Sequence, residues 1–428
     1  MKTNKSLLSL AVATGLAVSS TTASAAGFQL AEYSATGLGR AYAGEAAMAD
    51  NAGAQWRNPA MLTYLAGTQI SVGAIYVDPN IDVDGTINGV LPTSSEDFAN
   101  NAVIPNFYLS HQVNDKVFLG LALGTNYGME TELDENFAGN HFGNEAMVTT
   151  MEANFNVAYQ LVESVSIGGG IRYVMGEGHF GATSPQQSEP TLPQGTTLKY
   201  MEGDDISWGW QIGTAWQINE NHRIGFAYKS EVELKLEGYA EGLGFGLGSV
   251  VPQTRDNGYM NLALPATAEL ASFHQLNDKL AVHASINWTD WSSFEKLEAH
   301  LDTLGTHMVK VENWDDNYRF ALGATYQLDA KLALRTGIAY DMSAVSDKNR
   351  TITIPETDRT WLSIGASYDV TPQFNLDAGF TYIIAKDAPI QESRGYESDD
   401  ASQAIGGAFQ GEVSGSVWLI GVQANYTF

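Results

Sequence analysis

The chain has 428 residues, 49 acidic against 22 basic, and a formal net charge of −27. Such a chain repels nucleic acid and anionic head groups unless divalent cations intervene, which sets nucleic-acid binding aside. Charged residues make up only 17% and aromatics 11%, with 43 glycines and no cysteine. The charge fraction is below the roughly 25% of soluble domains.

The N-terminus carries Lys2 and Lys5, then LLSLAVATGLAV, then Ala23-Ser24-Ala25. That charged, apolar, small-residue order predicts a secretory signal over residues 1–25, cleaved before Ala26. An N-terminal anchor helix is the alternative, but the apolar run is short for a span of about 20 residues. Cleavage would remove Lys2 and Lys5 and take the charge from −27 to −29. An exported chain without cysteine must hold its fold without disulfides.

Residues 26–67 are rich in small residues, show helical spacing through Ala41 to Met48, and carry turn formers at Gly53 and Asn58-Pro59. They lack strand alternation. They read as a compact plug, or hatch, with short helices, a periplasmic tail being the alternative.

From residue 68 onward the period is two. In VWLIGVQANYTF, Trp418, Ile420, Val422, Ala424, Tyr426 and Phe428 share one face, with Gly421, Gln423, Asn425 and Thr427 on the other. Ile206, Trp208, Trp210, Ile212 and Trp216 alternate in the same way, as do Tyr318 to Leu328, Leu280 to Trp288, Leu362 to Tyr368 and Phe374 to Ile384. A single alternating segment would also suit a soluble sandwich. Many of them, in an exported, aromatic-rich chain, predict membrane strands with one lipid-facing side.

Short polar breaks stand at Asn114-Asp115, Glu163, Asn219 to Asn221, Asn277-Asp278, Asp329-Ala330 and Thr371-Pro372. Long gaps lie near 79–102, 128–146, 181–199, 240–258, 301–314, 342–358 and 386–413. Tight turns alternating with long loops predict an all-β fold: a 14-stranded antiparallel transmembrane β-barrel over residues 68–428, both ends periplasmic, in the bacterial outer membrane. Closure removes the strand edges that lipid cannot satisfy.

GFQLAEYSATGLGRAYAGEAAMADNAG followed by RNPAML resembles the hatch and Asn-Pro-Ala element of the FadL-type (OmpP1/FadL/TodX) outer-membrane transporters of long-chain fatty acids and other hydrophobic molecules. TNYGMETEL, KVENWDDNYRFALGATY, RTGIAYDMS and NRTITIPETDRTWLSIGASY resemble later blocks of that family. The resemblance implies a plugged fourteen-stranded barrel and passive uptake with lateral exit into the membrane. It places Asn58, Pro59 and Ala60 against an inward kink of the third strand, at Tyr127 and Gly128, as a lateral gate. A plain turn towards the first strand is the alternative for Asn58-Pro59. It also puts Phe28 in the ligand pocket and gives Lys310 the carboxylate of a fatty acid, a solvated loop lysine paired with Glu312 being the alternative. A second basic residue is missing from its expected place after the fifth strand; His179 or Arg172 could substitute.

In GLGFGLGSVV, Leu243, Phe245 and Leu247 put apolar side chains into an expected external loop, which suits a collecting groove. The acidic ESDDA (397–401) reads as solvated, or as bridged by divalent cations to lipopolysaccharide. Among eight histidines, His111, His274 and His283 fall in expected strands near periplasmic ends, and no hydrolase motif accompanies them. The expectation is therefore a transporter, not an enzyme, with no cofactor or metal. Its partners are a long-chain fatty acid or another hydrophobic small molecule, outer-membrane lipid and lipopolysaccharide, and as a plugged barrel it needs no second copy. Uptake of aromatic or other neutral compounds, or a general or structural barrel, are the alternative functions.

Overall fold

The computed structural model describes residues 27–185 and 192–428, so the expected signal segment lies outside the described residues. Fourteen antiparallel strands close one barrel: β1 (Thr68–Ile87), β2 (Ala102–Gln112), β3 (Val117–Gly124 and Gly128–Glu132), β4 (Glu145–Val162), β5 (Val165–Thr183), β6 (Thr197–Asn219) and β7 (His222–Lys229 and Val232–Glu241) form the first half. The second half is β8 (Arg255–Leu264 and Thr267–Gln275), β9 (Leu280–Thr289 and Lys296–Leu301), β10 (Gly305–Val311 and Asn317–Gln327), β11 (Leu332–Asp341), β12 (Arg359–Asp369), β13 (Phe374–Ala385) and β14 (Phe409–Thr427). Closure is the β1–β14 ladder, unbroken from Gln69↔Thr427 to Ile87↔Phe409.

Alternation sets the faces. Trp208, Trp210, Ile212 and Trp216 are exposed on the outer wall of β6, while Gln211 and Ala215 between them are buried against the lumen contents. Tyr426 and Phe428 stand on the outside of β14, where girdle aromatics belong. The strands reach 23 residues in β6, well beyond the roughly 9–11 that cross lipid, so their outer halves rise above the membrane.

All six expected tight turns form. The long gap expected at 301–314 does not. GTHMVKV alternates and pairs back onto β9 from Leu301↔Gly305 to Lys296↔Val311, so a hairpin stands there. Irregular backbone is instead confined to residues 312–316.

Residues 27–67 fill the lumen in short turns: α1 (Ala35–Leu38) and the 3₁₀ segments Glu45–Ala47, Ala52–Trp56 and Pro59–Tyr64. Ser34, Asn51 and Asn58 each begin a turn by accepting a backbone N–H within it, from Gly37, Gly53 and Ala60. The helical spacing of Ala41 to Met48 yields one 3₁₀ turn only, because Ala41 and Tyr42 sit at φ near +53° and +51°, outside helical geometry. Glycines let this segment touch the wall backbone to backbone: a Cβ on Gly365 would lie 2.6 Å from Gly39 Cα, and one on Gly379 2.6 Å from Ala35 O.

Side chains lock the plug to the wall. Thr36 donates to Asp377 at 2.7 Å, Arg319 to Ala41 O at 2.8 Å, Tyr108 to Tyr33 O at 2.7 Å, and Gln55 to Leu109 O at 2.9 Å. Within the plug, Arg40 holds both Glu45 and Asp50 at 2.7 Å, and Tyr33 donates to Glu45. The Arg40 guanidinium keeps the Asp50 carboxyl at about 2 despite its burial. Removing one partner of such a buried cluster costs about 3–5 kcal/mol. Arg40→Leu is therefore expected to loosen the plug and raise single-channel conductance in planar bilayers; an unchanged conductance would mean that the cluster does not hold it.

Candidate functional site

The wall opens at one place in β3. The β2–β3 ladder runs from Gln112↔Phe118 to Phe107↔Leu123 and stops. Beyond it β3 turns away, and its second segment pairs only with β4, from Gly128↔Thr149 to Glu132↔Glu145. Contact with the β2 side resumes at the Ala99↔Thr131 bridge. Opposite the break, Ala102 to Asn106 of β2 pair with β1 alone.

Unpaired backbone cannot face hydrocarbon without a cost of several kcal/mol per group, and here the plug supplies the missing pairs. Gly128 N donates to Phe28 O at 2.7 Å and Leu30 N to Asn126 O at 2.7 Å, an antiparallel bridge centred on Gln29↔Tyr127. Thr150 Oγ1 donates to Tyr127 O at 2.7 Å. Residues 28–30 thus act as a short substitute strand across the break.

Phe28 is buried at the centre of an aromatic cage. Its ring meets Trp291 at 4.6 Å, Phe294 at 5.6 Å and Tyr127 at 6.0 Å, all edge-on, with Trp314 tilted at 6.2 Å. Trp291, Phe294 and Trp314 come from the breaks in β9 and β10. The sequence signal for them was available: three aromatics that fall between alternating runs.

From this cage one cluster of buried apolar side chains extends outward through Leu234, Leu236, Leu262 and Leu264 to Phe245 and Leu247. Phe245 also lines an outer cleft of about 580 Å³ with Lys199, His141, His307 and the helix α2 (Glu397–Gly406). Leu243 beside it is half-buried, and Val250 is fully out at 82% exposure. The structure thus brings Phe28, Phe245 and Leu247 into one apolar column.

Lys310 is neither solvated nor paired with Glu312. It lies on the outer segment of β10, 3% exposed, with Nζ 3.3 Å from Glu392 and 3.3 Å from Phe142 O. Its ammonium stands 5.8 Å from the Phe180 ring, which belongs to the apolar column. Glu312 instead accepts from Trp314 Nε1 at 3.0 Å. Burial pushes the Glu312 carboxyl up to about 7, with the Lys310 and Arg394 cations pulling the other way.

Other expectations are corrected. Asn58, Pro59 and Ala60 do not lie at the β3 kink: Asn58 Nδ2 donates to Thr214 O of β6 at 2.9 Å, and a Cβ on Gly168 of β5 would strike Pro59 and Ala60. Phe28 to Leu30 occupy the kink instead. Arg172 is committed to Glu152 through two bonds of 2.8 Å and to Ser230 O. His179 stacks on Tyr200, 6.0 Å away, and faces Glu145. ESDDA is no solvated loop; it opens α2, with Asp399 buried against Arg394 at 2.7 Å.

The model of the family described as outer membrane protein transport protein (OMPP1/FadL/TodX) matches residues 16–428. A 47 kDa outer membrane protein of Pasteurella multocida is 37% identical over 100% of both chains. The long-chain fatty acid transport protein of Salmonella typhi is 33% identical over 98% of both. The crystal structure of a Pseudomonas aeruginosa FadL homologue superposes with a TM-score of 0.83 at 23% identity, covering 94% of this chain and 100% of that one. The closed barrel and the match over its length place the chain in the outer membrane, as a member of the OMPP1/FadL/TodX family of outer-membrane transport proteins.

Proposed function

We propose that the protein takes up long-chain fatty acids across the outer membrane by passive diffusion, without altering them chemically. Its relatives named as fatty acid transporters share about a third of its residues over nearly the full length, which supports this cargo. The observation that carries the reading is the unbroken apolar column from Phe245 and Leu247 to Phe28 and Tyr127, which ends at the break in β3. A tail entering from the outer cleft meets apolar side chains throughout, so no energy source is needed to move it from water towards lipid. Lys310 stands beside the column to receive the carboxylate, an otherwise costly charge to bury.

Exit is sideways. When residues 28–30 leave β3, Tyr127 and Gly128 border a gap in the wall that faces the bilayer. Asn58, Pro59 and Ala60 act at a distance, by seating the plug on β5 and β6. The barrel works as a monomer, its outer surface solvated by outer-membrane lipid and lipopolysaccharide. A neutral hydrophobic cargo is the second reading, favoured by the Glu392 carboxylate that already compensates Lys310.

Two measurements test this. In lipid nanodiscs, Lys310→Ala is expected to weaken saturation binding of a labelled C18 fatty acid about ten-fold, the loss of one charge-assisted bond worth about 1.5 kcal/mol. Unchanged binding would move the head group elsewhere, and no binding by either form would favour a neutral cargo. Second, dodecyl sulfonate, whose charge is constant between pH 8 and 6, is expected to bind more tightly as pH falls through about 7. Glu312 then takes up a proton, and its negative charge no longer repels an anion approaching Lys310; Glu312→Gln should flatten the profile, and a profile unchanged by that substitution would refute the repulsion.

A further inference from the structure

Below Phe28, on the periplasmic side of the break, lies a small, partly open compartment that the apolar column does not use. Gln29 and Leu30 of the substitute strand form one wall, and Arg57, Lys229, Glu269, Arg319 and Asp341 bring charge to it. Its free volume is about 40 Å³, room for a carboxylate group or a water or two but not for an alkyl chain.

The two carboxylates are already served. Glu269 accepts from Ala46 N at 2.9 Å and from Asn287 Nδ2 at 2.9 Å, and Asp341 accepts from Asn317 at 3.2 Å. The three cations are not. Lys229 is 5% exposed, rests 4.4 Å above the Trp56 ring and spends one donor, on Asn126 Oδ1 at 3.1 Å. Arg319, 6% exposed, donates Nη2 to Ala41 O, and its buried Nε has no partner. Arg57 packs 5.1 Å from the Tyr33 ring with its Nε likewise unpartnered. Among the described residues, none of the three has a carboxylate oxygen within 4.0 Å. Lys229 has donors to spare, and the buried Nε of Arg57 and of Arg319 has no partner, so a further anion in the compartment would meet donors that are costly to leave unpaired.

We propose that this compartment is a second carboxylate site, which takes the fatty-acid head group while the tail passes through the β3 break. The proposal rests on the fatty-acid reading above. The position fits, because Asn126 joins the two structures: its carbonyl accepts from Leu30 N and its side-chain oxygen from Lys229 Nζ. A carboxylate drawn to Lys229 therefore arrives beside the backbone bond that closes the wall. The ligand class is an alkyl monocarboxylate; a neutral cargo of equal length has nothing to offer these donors.

The test compares uptake of labelled oleate and labelled oleyl alcohol by cells that express the full chain and lack other transporters of this kind. Lys229→Met and Arg57→Gln are expected to slow oleate about ten-fold, the worth of one charge-assisted bond, and to leave the alcohol unchanged. Lys229→Arg, which keeps the charge, should retain oleate uptake. Acid and alcohol slowing together would assign these residues to holding the plug and overturn the proposal, as would no effect on either. Wild-type cells that import the alcohol but not oleate, or neither, would refute the fatty-acid reading itself.

Discussion

No backbone amide can stand unpaired in hydrocarbon, and a barrel meets that demand by closing its ladder all round. This barrel closes β1 on β14 and then gives up pairing at one point of β3. The break persists because Phe28 O accepts and Leu30 N donates in place of β2. The same short segment carries the Phe28 ring into the aromatic cage. Wall closure and occupancy of the apolar column are thus coupled through three consecutive residues, and a ligand that displaces Phe28 disturbs the bonds that seal the wall.

The lumen divides into two chemistries at that level. Outward of Phe28 runs the aliphatic and aromatic cluster, with Lys310 and Glu392 beside it and the buried pairs Arg359–Glu356 and Arg394–Asp399 elsewhere in the outer part. Inward, the plug and wall are tied by buried ions and amides, among them Arg40 with Glu45 and Asp50, Arg335 with Asp377, and Arg172 with Glu152. A tail gains by staying in the first region and loses by entering the second, since burial there would break satisfied polar contacts. On the function proposed above, this division favours a sideways exit over a straight one, with no moving part beyond the substitute strand.

Much of the fold was legible because lipid imposes a strict period. A slip of one residue in register would turn Trp208, Trp210, Ile212 and Trp216 together from the lipid to the lumen. The plug was legible by exclusion, as residues that alternate nowhere. What the sequence concealed depends on packing across distant segments. The partner of Lys310 is Glu392, 82 residues away, and nothing near VKVEN announces it. The short period of GTHMVKV is that of a strand, but its position between Asp302 and Trp314 suggested a loop. Asn58-Pro59 was recognised as a turn, yet only Gly168 and Gly213 on the facing wall determine where that turn fits. Asp399 looked solvated because its partner Arg394, though close in sequence, meets it only once α2 has formed.

The most direct test of the coupling uses the absence of native cysteine. Gln29 and Tyr127 face each other as a non-hydrogen-bonded antiparallel pair, flanked by the two bonds of residues 28 and 30. Such pairs bring Cα atoms to about 4.5 Å, within disulfide range. A chain carrying Gln29→Cys with Tyr127→Cys would be oxidised and assayed for uptake of labelled oleate, then reduced and assayed again. The account predicts that the oxidised form still binds ligand from outside but does not deliver it, and that reduction restores delivery. Delivery by the oxidised form at the rate of the reduced one would show that cargo leaves without opening the bridge, and would contradict the account.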